Sequence, residues 1–342
     1  MRKDAQPGSD QPGCGLIGVS VAAYQQISAA AAASSPSTAI SWVGLNLRRR
    51  KEGVAAFTTA TLASRDDPWR QPRVRYSARP SRNPGLTTSG PPPAKLDAMT
   101  TPMVSLRDLR MDYGAGPSRV TALDGVSIDL PAGSFTAVMG PSGSGKSTLL
   151  HCAAGLDRPT AGQVTIDGVH LTDLDETGLT LLRRQRIGFV FQAFNLISSL
   201  TAAQNVALPL RLARQQITPG GVAAALAAVG LADRARHRPV ELSGGQQQRV
   251  AIARAMVTRP AVIFADEPTG ALDNQTSRQV LALLRGLATE HGQTIVMVTH
   301  DPVAAAWADS VLLLTDGRLA DRLDGARAEI IATRMAKAEA TC

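Results

Sequence analysis

Gly140-Pro141-Ser142-Gly143-Ser144-Gly145-Lys146-Ser147-Thr148 is the stretch on which the fold turns. Immediately before it, residues 134–139 form an almost unbroken apolar run, as expected of a strand buried on both faces. Residues 147–154 read as a helix. Glycines between a buried strand and a helix let the backbone turn until several N–H groups face one anion, and the helix start adds its partial positive charge. The spacing Gly-x4-Gly-Lys-Ser therefore predicts a phosphate-gripping loop. In it, Lys146 would reach the β- and γ-phosphates of a nucleotide and Ser147 would ligate Mg²⁺.

Outward from the loop, further short apolar runs at 187–191, 261–265, 294–299 and 310–314 alternate with helical patterns, which predicts a parallel α/β sheet. Two earlier runs, 104–109 and 125–130, alternate apolar and polar residues around a Gly-rich turn at 114–117, which predicts an antiparallel β subdomain beside it. The run 262–265 ends in Asp266-Glu267 at the strand's C-terminal end, the edge where parallel sheets bind ligands. There Asp266 would hold the metal, and Glu267 would take a proton from an attacking water. A second N–H-rich turn, Leu242-Ser243-Gly244-Gly245-Gln246, opens another helical run and is a second anion cradle.

With these residues quoted, residues 104–319 resemble the nucleotide-binding subunit of an ABC transporter. The resemblance implies a P-loop NTPase core with a parallel sheet, an antiparallel β subdomain and an α-helical signature subdomain. It implies ATP and Mg²⁺ as ligands, and a homodimer in which ATP is sandwiched between one chain's phosphate loop and the other's Ser243, Gly244, Gly245 and Gln246. Gln192 matches the glutamine that touches the metal and links the site to a permease, Asp273 the loop at the dimer seam, and His300 the histidine that contacts the γ-phosphate. Tyr113 is the candidate for stacking on adenine, with an ordinary half-buried strand tyrosine as the alternative. The expected catalytic set is Glu267, His300, Gln192 and Lys146, with Ser147, Gln192 and Asp266 on the metal. His151, His170, His237 and His291 lack any comparable context.

The stretches 192–197, 200–210 and 266–273 resemble the branch paired with FtsX-like or MacB-like permeases. That branch implies an integral membrane partner, a place at the cytoplasmic face of the membrane, and mechanical work or export driven by ATP. A non-transport ABC ATPase is the alternative, but such proteins carry two cassettes or long insertions, and one cassette is read here. A regulatory subunit that binds ATP without turnover is the other alternative, opposed by Glu267 and His300.

Bulk properties agree with this division. Thirteen of the 36 basic and six of the 28 acidic residues fall in 1–98, so the net charge of +8 belongs almost entirely to that segment. The remainder is close to neutral, and no nucleic-acid partner is expected. Residues 1–98 also hold ten of the 21 prolines and no sustained periodicity. They read as a low-complexity, disordered extension, with Arg48-Arg-Arg-Lys51 as solvated tail. Met99 and Met103 open directly onto patterned sequence and are alternative starts of translation, which the intact mass of the native protein would decide. Cys14, Cys152 and Cys342 are too few and too scattered for a disulfide framework and suit a reducing compartment. No run reaches the length of a membrane span. The expected domains are 1–98, 99–319 and a helical tail at 320–342, with Ile330, Ile331 and Met335 near one side.

Overall fold

The computed structural model describes residues 101–340. The expected extension at 1–98 lies outside them, as do Cys14 and Cys342.

The described residues open as an antiparallel hairpin. Strands β1 (Val104–Tyr113) and β2 (Val120–Leu130) pair antiparallel across the predicted turn, and β4 (Ala161–Ile166) and β5 (Val169–His170) complete a four-stranded sheet ordered β2-β1-β4-β5. Sequence reading found the first two strands but stopped β1 at residue 109; bulges between Leu106 and Asp112 break its alternation and hide the rest.

The second sheet has six strands in the order β10-β9-β3-β8-β7-β6. These are β3 (Phe135–Met139), β6 (Ile187–Phe191), β7 (Val262–Asp266), β8 (Thr294–Val298), β9 (Ser310–Thr315) and β10 (Arg318–Asp324). All neighbours are parallel except β9 and β10. Strand alternation divides each buried run between two cores. On one side Val138, Val262, Phe264, Val296 and Leu312 meet the small sheet and helices α1 (Lys146–Ala153) and α2 (Glu176–Arg186). On the other, Phe135, Ala137, Ile263, Met297 and Val311 meet the remaining helices. Those are α3 (Ala202–Leu212), α4 (Pro219–Ala228), α5 (Gly244–Met256), α6 (Asn274–His291), α7 (Pro302–Ala305) and α8 (Ala328–Glu339). Fully burying side chains such as Phe135 and Phe264 contributes about 1.5–3 kcal/mol each.

One expectation fails. The tail does not become helical at Ala320: residues 318–324 form β10, and the helix starts only at Ala328. Asp316-Gly317 has positive φ at both positions, the two-residue turn that returns a chain into an antiparallel hairpin. Helix α8 then folds onto the body, with Ile331 and Met335 in the core and Ile330 turned outward.

Candidate nucleotide site

The phosphate loop leaves β3 and becomes α1. Gly145 caps that helix at φ +96°, and a methyl there would come within 2.3 Å of Ala122 O, so only glycine fits. The loop is braced from two sides. The Gly317 amide donates to Ser144 O at 3.1 Å, and Gly317 O accepts from Asp124 N at 2.9 Å. The hairpin turn thus ties the loop to β2. Lys146 Nζ donates to Gly140 O (2.9 Å) and Pro141 O (2.7 Å), folded back over the loop. Its pKa is lowered by burial, against the pull of Glu267 and Asp266. Ser144 Oγ is buried without a hydrogen-bond partner.

Asp266 closes β7. Burial raises its carboxyl pKa, opposed by His151, seconded by Glu267 and opposed again by Lys146. Glu267 follows at φ +47°, a left-handed conformation uncommon for a side chain this long, with its amide donating to Val298 O of β8 at 3.0 Å. That twist brings Glu267 Oε1 to 2.8 Å from His300 Nδ1. Glu267 and His300, each given a separate catalytic role from sequence, are brought into contact. His151, to which sequence gave no role, lies on α1 at 3.3 Å from Asp157 Oδ2 and within the field of Asp266. Cys152 beside it is buried, its thiol pushed up to about 12.

Tyr113 ends β1 with 43% of its surface exposed. Its hydroxyl is 3.5 Å from Asp157 Oδ2 and interacts with Thr148 of the phosphate loop, and burial of the phenol raises its pKa. The ring therefore stands beside the loop. Gln192 is exposed just after β6, and a methyl on Gly270 would lie 2.7 Å from its Nε2, which sets it against the loop following Glu267. The second turn caps α5 reciprocally: Gln246 N donates to Ser243 Oγ (3.3 Å), and Ser243 N to Gln246 Oε1 (3.0 Å). Asp273 accepts from Gln275 N and Thr276 N (both 3.0 Å) and from Thr276 Oγ1 (2.6 Å), capping α6. Gln246 and Asp273, read as ligand-binding, are thus engaged as helix caps. Sequence reading overlooked Gln248, which is wholly buried on α5. Its place in the stripe Gln248, Ala251, Ile252, Ala255 was the available signal: a polar residue at an apolar period.

A glycine turn between a buried parallel strand and a helix, facing a carboxylate pair across the strand ends, defines a P-loop nucleotide-binding protein. Residues 123–270 match the family described as ABC transporter. The chain is 47% identical over 226 residues to the macrolide export ATP-binding/permease protein MacB of Hyphomonas neptunium, covering 65% of this chain and 34% of that protein. It is 47% identical over 222 residues to the lipoprotein-releasing system ATP-binding protein LolD of Chromohalobacter salexigens, covering 64% of this chain and 93% of LolD. The dimeric post-hydrolysis structure of the ATP-binding cassette MJ0796 with ADP and Pi superposes with a TM-score of 0.60 at 43% identity, over 66% of this chain and 99% of that one. The chain belongs to the ABC transporter family, as an ATP-binding subunit that hydrolyses ATP. It spans about a third of the length of the MacB relative.

Proposed function

We propose that this subunit hydrolyses ATP in a homodimer and drives a separate permease of the FtsX-like or MacB-like kind from the cytoplasmic face of a membrane. No helix among the described residues is long and apolar enough to cross a membrane, which agrees with a separate spanning partner. The likeness to MacB, LolD and the dimeric MJ0796 cassette supports this reading. The observation that carries the chemistry is the 2.8 Å contact between Glu267 and His300 at the edge where Lys146 feels both carboxylates.

In this reading Glu267 accepts the proton of a water that attacks the γ-phosphorus as the bond to ADP breaks. One nitrogen of His300 faces Glu267, and the other is left to hydrogen-bond the γ-phosphate. Lys146 exchanges its two loop carbonyls for phosphate oxygens. The backbone of residues 140–148 wraps the phosphates, with Ser147 at the start of α1, while Tyr113 stacks on the base. The donors Ser147, Gln192 and Asp266 suit Mg²⁺. A carboxyl whose pKa is raised by burial welcomes a divalent cation, which would neutralise phosphate charge there. Ser243, Gly244, Gly245 and Gln246 close on the partner's nucleotide, and Asp273 lies at the seam.

The test is steady-state ATPase of the full chain with its permease against Glu267→Gln. Turnover should drop by about 10²–10⁴-fold while ATP binding persists. Intact turnover would remove Glu267 as the base.

A further inference from the structure

Gln248 lies five residues into the rigid helix that Ser243 starts, and none of its surface is exposed. Its neighbours on that face, Ala251, Ile252 and Ala255, are apolar core. A hydrocarbon would fill the position without burying an amide, and the amide is not fully satisfied, since Oε1 has no hydrogen-bond partner. Its use is in the donors. Nε2 donates to Pro268 O at 2.6 Å and approaches Phe191 O at 3.4 Å. Pro268 directly follows Glu267, and Phe191 directly precedes Gln192. One side chain therefore holds the two backbone segments that carry the proposed base and the proposed metal-contacting glutamine, and does so from the helix whose first turn is the second anion cradle.

We propose that Gln248 is a positioning residue that transmits movement of the Ser243 turn to Glu267 and Gln192 of the same chain. This rests on the sandwich reading, in which Ser243 senses the partner's nucleotide while Glu267 and Gln192 serve the chain's own. Closure on one nucleotide then sets the geometry of hydrolysis at the other. Helix α5 moves as a unit, and the short bond to Pro268 O converts its displacement into displacement of the loop bearing Glu267.

Two substitutions separate this from a packing role. Gln248→Glu keeps the shape and turns the donor into an acceptor facing two carbonyls. Gln248→Met keeps the volume and suits the apolar stripe. In the purified full chain both should lower kcat at least tenfold, with KM and the equilibrium affinity for ATP within twofold of wild type. A folded variant with kcat within twofold of wild type overturns the proposal, as does loss of kcat with a matching loss of ATP affinity. A measurement on the Glu267→Gln protein needs no change at Gln248. On ATP titration, amide hydrogen exchange in segments 191–194, 243–249 and 267–270 should slow with one common midpoint, and separate midpoints overturn it. Turnover of Glu267→Gln, measured in parallel, tells the failures apart. If it stays active, the sandwich chemistry is wrong; if it stops while the Gln248 variants run normally, only the coupling is.

Discussion

Two charged clusters, one in the β1–β2 hairpin and one at the candidate nucleotide site, are built on opposite lines. In the β1–β2 hairpin the Asp112 carboxylate accepts from Arg119 (2.5 Å), Thr121 (2.6 Å) and Arg110 (3.0 Å), which together hold it well below the usual carboxylate range. Asp124 is bracketed in the same way by Arg110 and Arg318. At the strand ends the arrangement reverses. Burial raises the pKa of Asp266 and lowers that of Lys146, so both are pushed toward their neutral forms. The Asp112 cluster is compensated by neighbouring side chains, whereas the strand-end pair is partly buried and under-compensated, as the proposed phosphate and cation would require. A fold can hold such a cluster only where the surrounding core is stable enough to bear it.

The comparison can be broken or sharpened by substitution. The largest expected effect is the loss of turnover in Glu267→Gln described above. Next is Gly145→Ala, which demands a left-handed alanine and a clash with Ala122 O. Denaturant unfolding should show about 2–3 kcal/mol lost, and a nucleotide titration should show binding weakened at least tenfold. Asp266→Asn should act in the opposite direction on stability. Asp266 has a folded-state pKa above its unfolded value, so the native state binds more protons and stability falls as pH rises through that window. Removing the charge should therefore raise the Tm of nucleotide-free protein at pH 7, an advantage that shrinks toward pH 4, while ATPase activity falls. A lowered Tm at pH 7 would mean that the buried carboxyl is compensated after all.

The smallest effect belongs to the hairpin. Asp112 has a folded-state pKa below its unfolded value, so its contribution is present above about pH 4 and fades as pH drops through and below that point. Asp112→Asn should lower Tm slightly at neutral pH, and the difference from wild type should close in acid. Thermal scans of both proteins across that range decide it.

The legible parts of the molecule were those written locally. Residues 140–148, the run ending in Asp266 and the turn at Ser243 each carry their chemistry within a few positions, so pattern and spacing found them. Glu267 was identified from its place at a strand end and His300 from family likeness; their contact depends on the positive φ of Glu267 and its hydrogen bond to β8, which no local pattern shows. Strand β10 was missed because its alternation, partly buried Leu319 and Leu323 against charged neighbours, was read with the helix beyond it. The Asp316-Gly317 pair was the overlooked punctuation. Gln248 carried no legible role because the carbonyls it meets, Pro268 O and Phe191 O, lie 20 and 57 positions away in sequence.

The bracing of the phosphate loop also has a consequence for biosynthesis. β3 sits between β8 and β9, and the loop that follows it hangs on the Gly317 turn. The Phe135 amide at the start of β3 donates to Asp309 Oδ2, 174 residues further along the chain. On a ribosome adding about 5–20 residues per second, the nascent loop waits roughly 10–35 s for the strands that hold it. During that interval the emerging chain has no finished grip on ATP, and a message cut short before β9 would yield a product unable to compete for nucleotide.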